Sequence, residues 1–144
     1  MSQAWLHDTR VRGTEYAAPM PKSVHHVNLS VPEDGARTEG DWLVGMLGYV
    51  EVEGGPDIQK MLEPMGRRVW WFEADDGSQV HLSPNPDHAI VSAAHTAIRL
   101  DDDLDPCIAR LDAGGFETRT IAFDGERHVF VTDPAGNLWE LVGP

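Results

Sequence analysis

Four residues that commonly bind metal ions occupy related positions in the two halves of the sequence: His26, His81, His95 and Glu140. His26 and His95 each open a predicted strand, whereas His81 and Glu140 each stand four residues after a glycine, Gly77 or Gly136. Imidazole nitrogens and carboxylate oxygens suit first-row divalent metals. Four such residues at repeated positions are hard to obtain by chance, so the pattern predicts a metal site.

The alternation of apolar and polar residues along each predicted strand places the candidate ligand on the face opposite to the apolar residues. Val27 and Leu29 point to one side of the first strand, and Asn28 points to the other side with His26. The same alternation holds in the strands of the other three candidates, so we expect all four to face a hollow, away from the helices. The remaining histidines are predicted to lie at the surface: His7, His25, His88 and His128.

Each half of the chain predicts the same order of elements, which is strand, helix, strand, strand, strand. Module one covers about residues 23–88 and module two about residues 92–143, and together they form a single domain over 23–143. This duplication predicts an α+β fold, in which two tandem βαβββ modules form curved antiparallel sheets around a metal-binding cavity with the helices outside. Residues 1–22 are predicted to be an N-terminal extension.

The balance of charges excludes several classes of partner. The chain has 144 residues with 24 acidic and 11 basic side chains, and its net charge is −13 with histidine neutral. Nucleic acids and anionic membranes are bound by basic faces, so neither is expected as a partner. The single cysteine, Cys107, is predicted to be a buried apolar residue. The first twenty residues lack the apolar core of a signal peptide, and a cytoplasmic location is expected.

Four stretches of the sequence resemble the vicinal-oxygen-chelate superfamily, which includes glyoxalase I, extradiol dioxygenases and bleomycin resistance proteins. They are His-Val-Asn-Leu at 26–29, Trp-Leu-Val-Gly-Met-Leu-Gly at 42–48, His-Thr-Ala-Ile-Arg-Leu-Asp at 95–101 and Asp-Pro-Ala-Gly-Asn-Leu-Trp-Glu-Leu at 133–141. The resemblance implies that His26, His95 and Glu140 are metal ligands. It also implies a small-molecule substrate that chelates the ion through two neighbouring oxygens.

His81 departs from the pattern of glyoxalase I and the related epimerase, which place glutamate or glutamine at this position. With His81 as a fourth ligand, an octahedral ion would keep two open positions for a chelating substrate. Without His81, the residues His26, His95 and Glu140 would form the two-histidine, one-carboxylate set of iron oxygenases. The sequence leaves both sets open, and with them the identity of the metal among Ni, Co, Zn, Mn and Fe.

Two further side chains, together with Asn28, are candidates for contact with the substrate. Arg99 shares the face of His95 and could bind an anionic group, although a surface ion pair is an equal alternative. Trp71 belongs to a predicted strand of module one and could line the cavity. Residues 54–68 are either a short helix or an apolar loop, and either a lid over the site or an ordinary connection.

These inferences lead to three hypotheses of function. The first is a metal-dependent lyase or isomerase similar to glyoxalase I, with Glu140 as the catalytic carboxylate. The second is an Fe(II) dioxygenase of the extradiol type. The third is a ligand-binding protein of the bleomycin resistance kind that needs no metal. The resemblance also implies a homodimer, in which a module of each chain completes each site. The alternative is a site between the two modules of one chain, for which a monomer would suffice.

Overall fold

The structure, a computed structural model, describes residues 23–144, and the predicted extension at 1–22 lies outside the described residues. Module one begins with β1 (His26–Val31) and α1 (Ala36–Trp42), which continues as a π-helical turn (Leu43–Leu47). There follow β2 (Val50–Val52), α2 (Pro56–Leu62) with a 3₁₀ turn (Glu63–Met65), β3 (Trp71–Glu73) and β4 (Gln79–Pro84). The segment left open between helix and loop therefore forms a short helix.

Module two repeats this order. It comprises β5 (His95–Arg99), a 3₁₀ turn (Asp101–Asp103), α3 (Leu104–Ala113), β6 (Thr118–Phe123), β7 (Glu126–Thr132) and β8 (Leu138–Gly143). The predicted α+β fold of two βαβββ modules is therefore confirmed. No helix between residues 23 and 144 is both long and apolar enough to cross a membrane.

The strands form two four-stranded sheets of matching order, β1-β4-β3-β2 in module one and β5-β8-β7-β6 in module two. The last three strands of each module pair antiparallel, as predicted, whereas the first strand pairs in parallel with the last. Each sheet is therefore mixed, because the long connection through the helix allows a parallel pair. The register places Trp71 opposite His81 and Phe130 opposite Glu140, so these two pairs are equivalent.

One apolar core joins the two modules, and helices α1 and α3 both contribute to it. Trp42 of α1 packs against Trp139 of β8 with ring centroids 5.8 Å apart, so the helix of module one contacts the sheet of module two. Cys107 of α3, buried as predicted, donates a hydrogen bond to the Met46 carbonyl in the π-helical turn. Gly48 ends that turn with a φ of +84°, which favours glycine. Both sheets turn their apolar faces to this core, so their opposite faces point away from it.

A cluster of hydrogen-bonded polar residues, here called the polar joint, connects the end of β1 to the turn before β8. Asn137 Nδ2 donates to the Ser30 carbonyl at 3.2 Å, and Glu39 of α1 accepts a hydrogen bond from the Ala135 N–H at 3.2 Å. His88 bridges Ser30 Oγ at 3.0 Å and the Ala135 carbonyl at 2.8 Å. The prediction of a surface role for His88 is therefore wrong, because the connection between the modules folds back across this joint.

The buried carboxyl group of Glu39 is an unusual feature of the joint. Burial raises the pKa of Glu39 to about 9, and the nearby Asp133 carboxylate adds to the rise. Asp133 accepts hydrogen bonds from the Asn137 N–H at 2.8 Å and from Trp139 Nε1 at 2.9 Å. Because Asp133 is held as an acceptor for two donors, Glu39 is the carboxyl group that keeps its proton at neutral pH.

Candidate functional site

The predicted ligands lie on the outer faces of the two sheets, opposite to the shared core. In module one, Leu29 and Leu82 are buried in the core, whereas Asn28 on the alternate face is exposed and is aligned with His81 across the parallel pair. In module two, Leu141 is fully buried, whereas its neighbour Glu140 points to the other face with 13% of its side chain exposed. The alternation in the sequence thus predicted correctly which face each strand buries.

Glu140 is held by two imidazoles on the outer face of module two. Its Oε2 atom lies 2.6 Å from His95 Nε2, and its Oε1 atom lies 2.5 Å from His128 Nδ1. Phe123 stacks on the ring of His128 with centroids 3.8 Å apart, and Phe130 contacts the ring of His95 edge-on. Both oxygens of the carboxylate are therefore directed by neighbouring side chains.

His26 and His81 meet on the outer face of module one, with Trp71 as their common neighbour. The indole of Trp71 lies 5.0 Å from the ring of His26 and stacks at 4.6 Å on the ring of His81, measured between centroids. Burial lowers the pKa of His81, and the nearby His26 lowers it further. His81 is therefore held toward the neutral imidazole, which is the form that binds a metal. His25 is exposed, as predicted, and its Nδ1 atom lies 2.9 Å from Nδ1 of His26.

The structure brings the four candidates together as two pairs, one on each sheet. Among residues 23–144, no group of three or more His, Cys, Asp or Glu side chains is arranged to hold a metal ion. The pair of His95 and Glu140 nevertheless fits adjacent positions on one ion, because two ligands about 2.1 Å from a metal and at right angles lie about 3 Å apart. The 2.6 Å between His95 Nε2 and Glu140 Oε2 is a hydrogen-bond distance, so the two atoms would move apart by about 0.4 Å to bind one ion. The donor chemistry of each pair suits a divalent metal, and each pair alone is half of a ligand set.

The outer faces are open in the single chain. Two grooves, of about 810 and 600 Å³, lie elsewhere, and neither lining includes any of the four candidate ligands. The first groove adjoins α2, a helix that buries none of its side chains, and the second adjoins Arg99. The open faces mean that something else must cover the candidate ligands if they form an enclosed site.

The three predicted substrate contacts have different surroundings. Trp71 is 7% exposed and packs between the two histidines of module one. Asn28 Oδ1 accepts a hydrogen bond from Ser83 Oγ at 2.8 Å on the same face. Arg99 lies with Nη1 2.6 Å from Glu126 Oε1 and 3.4 Å from Asp101 Oδ1, so its guanidinium is engaged in exposed ion pairs. Of the three, Trp71 contacts two candidate metal ligands through its ring.

His128 is the residue of this site that the sequence reasoning missed. It was predicted to lie at the surface, but it is 9% exposed and hydrogen-bonded to Glu140, so that prediction is wrong. Because the register makes Trp71 equivalent to Phe130, the counterpart of His128 in module one is Val69. Valine does not bind metals, so the internal repeat does not indicate that His128 belongs to the site. A usable signal was its alternation with Val129 and Val131, which are buried in the core and leave His128 on the outer face.

Comparisons with known proteins agree with this fold. Residues 16–141 match the family model of the glyoxalase/bleomycin resistance protein/dioxygenase superfamily. No curated protein matches the chain.

Several solved structures are similar to this chain. A glyoxalase/dioxygenase from Nostoc punctiforme is 20% identical with a TM-score of 0.69, over 99% of this chain and 98% of that one. A lactoylglutathione lyase from Agrobacterium tumefaciens is 18% identical with a TM-score of 0.63, over 85% and 94% of the two chains. The antibiotic binding protein TnmS3 from Streptomyces sp. CB03234 is 20% identical with a TM-score of 0.64, over 88% and 99%. At these identities the likeness concerns the fold, and the family match over most of the chain settles its membership: the chain belongs to the glyoxalase/bleomycin resistance protein/dioxygenase superfamily.

Proposed function

We propose that the protein is a metal-dependent lyase or isomerase of the glyoxalase type, acting on a small oxygenated substrate. The observation that carries this proposal is the contact of Glu140 Oε2 with His95 Nε2 at 2.6 Å on the outer face of module two. The second pair, His26 and His81, occupies the equivalent face of module one. The likeness to the lactoylglutathione lyase fold supports the same class of reaction.

In this proposal, His26, His81, His95 and Glu140 hold a divalent ion. A bound ion of this kind acts as a Lewis acid that polarises a carbonyl oxygen of the substrate and stabilises negative charge there. Glu140 is the only carboxylate among the four and is the candidate to accept a proton at a carboxylate oxygen. Trp71 and Phe130, at equivalent positions of the two modules, flank the pairs and exclude water from one side of each.

We further propose that a second copy of the chain completes each site, in a homodimer. Two findings support this: the ligand pairs lie on faces turned away from a shared core, and residues 23–144 contain no group of three ligands. A closed two-fold pair would bring module one of one chain against module two of the other and form two equivalent sites. A cytoplasmic location and the role of Asn28 and Arg99 in substrate binding remain predictions.

Two alternatives have specific support. An Fe(II) dioxygenase is favoured if His81 only stacks on Trp71, because His26, His95 and Glu140 then form a two-histidine, one-carboxylate set. A metal-free binding protein is the second alternative, and the likeness of the fold to an antibiotic binding protein supports it.

Metal analysis of protein purified without a histidine tag separates the three functions. We expect stoichiometric nickel, cobalt, zinc or manganese, and isomerisation of a thiohemiacetal by the loaded protein. Stoichiometric iron with ring cleavage of a catechol would replace the proposal with the dioxygenase. No metal after dialysis against each of these ions, at neutral pH, would replace it with the binding protein.

A further inference from the structure

The outer face of module two contains a third imidazole that none of the ligand sets above includes. His128 is buried, and its Nδ1 atom lies 2.5 Å from Glu140 Oε1. His95 contacts the other oxygen, Oε2, so the two imidazoles lie on different sides of the carboxylate. His128 stands diagonally across β7 and β8 from Glu140, since its direct partner in the register is Val142.

Geometry distinguishes His128 from a ligand. The nitrogen that faces the carboxylate is Nδ1, and an ionised carboxylate is only an acceptor, so Nδ1 carries the proton of this hydrogen bond. His128 also stands at the position that Val69 occupies in module one, outside the four repeated positions of the predicted ligands. The stacked ring of Phe123, 3.8 Å away at an angle of 13°, holds the imidazole in this orientation.

We propose that His128 is a positioning residue, which fixes Glu140 by donating a hydrogen bond from Nδ1 to Oε1 so that Oε2 is presented beside His95. This inference rests on the proposed metal site and deepens it. A carboxylate that is held by a hydrogen bond keeps one rotamer and one orientation when the ion is absent, and the ordering cost of binding is reduced accordingly. Removal of a residue that hydrogen-bonds to a metal ligand typically lowers the affinity for the metal by about 10–100-fold.

Two substitutions separate the hydrogen bond from the packing of the ring. His128→Phe keeps an aromatic ring to stack on Phe123 but removes the donor. His128→Asn loses the ring but places an amide N–H near the position of Nδ1, so it restores the donor. A residue with a purely structural role would tolerate phenylalanine better than asparagine, whereas a positioning residue would show the opposite order in metal affinity.

The experiment is a titration of the metal-free full chain with Co²⁺, followed by calorimetry and by visible absorption, for the wild type, His128→Phe and His128→Asn. The control is Arg119→Gln, because Arg119 is the register partner of Phe130 and its guanidinium lies over that ring on the same face. We expect His128→Phe to weaken Co²⁺ binding by about 10–100-fold and His128→Asn to weaken it by less than about tenfold. The thermal midpoint of each metal-free variant reports packing separately. If the wild type binds Co²⁺ and His128→Phe binds it equally well, His128 does not position Glu140 and the inference is wrong.

Two other outcomes of the titration would also overturn the inference. If His128→Asn is weakened more than His128→Phe, ring packing rather than the hydrogen bond supports the site, and the inference is overturned. If the wild type binds neither Co²⁺ nor, in matching titrations, Ni²⁺, Zn²⁺ or Mn²⁺, the proposed function itself fails and this inference fails with it. The wild-type titration therefore tells the two failures apart.

Discussion

The outer faces of the two modules have the same strand order but hold their polar groups in different ways. On module two, a carboxylate is fixed between two imidazoles by contacts of 2.5 and 2.6 Å. On module one, two imidazoles share an aromatic neighbour, Trp71, and carry no carboxylate between them. Module two thus offers a preorganised carboxylate, and module one offers imidazole nitrogens. A divalent cation is attracted chiefly by the first, so we expect module two to dominate the affinity and module one to complete the shell.

The largest effect should come from Glu140. We expect Glu140→Ala to reduce bound metal from stoichiometric to background, because it removes the only negative ligand and leaves two imidazoles facing an empty position. His81→Ala should reduce metal content less, because His81 is neutral and is stacked on Trp71. Elemental analysis of both variants, with circular dichroism to confirm folding, checks this order. Full retention of metal by Glu140→Ala would contradict the site assignment in every version considered.

The second prediction tests whether the two faces act together across chains. His26→Ala and His95→Ala should each fail to bind metal, since each lacks a ligand at every site. When the two are unfolded and refolded together, random pairing of chains in a closed dimer should restore about a quarter of the sites. Metal content of the mixture checks this value, with each variant refolded alone as the control. A mixture that stays empty would mean that sites lie within single chains.

The third prediction concerns the joint that fixes one module relative to the other. Folding raises the pKa of Glu39 from an ordinary value near 4.5 to about 9, so the native state binds more protons than the unfolded state between these pH values. Stability therefore falls as pH rises through this range. We expect the urea midpoint of the wild type to decrease from pH 5 to pH 9, whereas Glu39→Gln, which is neutral throughout, should decrease less. Parallel curves for the two proteins would show that Glu39 is not buried as a neutral acid.

The smallest effect should come from Arg99. Its guanidinium is exposed and engaged by Glu126 and Asp101, and exposed pairs of this kind contribute little. We expect Arg99→Gln to leave metal content and the thermal midpoint near the wild-type values. A change confined to the KM for an anionic substrate would support the predicted role of Arg99 in substrate binding.

Much of the fold could be predicted because it depends on local patterns. The alternation of Val27, Leu29 and Val31 reports which side of β1 is buried, and this holds whatever the strand pairs with. The repeat of the same pattern in module two predicted the second sheet. The parallel pairing of β1 with β4 was not predicted, since the direction of a pair depends on the path of the connection and not on the alternation within a strand.

The site was predictable only in part. The repeat predicted the two pairs of candidate ligands, whereas His128 has no counterpart in module one and was assigned to the surface. Its role depends on the diagonal approach of β7 to β8 and on the ring of Phe123, contacts that join residues from three strands. For Arg99, the sequence predicted which face of β5 the side chain lies on. It did not predict the ion pairs that Arg99 forms with Glu126 and Asp101.

Some properties of this protein follow from the order of neighbouring residues alone: the duplication, the buried face of the strands that carry the candidates, and the chemical type of the candidate ligands. Other properties depend on contacts between distant segments. The helices and both apolar faces share one core, so each candidate pair lies on the face of its sheet that points away from that core, and Glu140 lies between two imidazoles. Burial of apolar area acts between distant segments and sets their relative orientation, which the pattern within one strand does not encode.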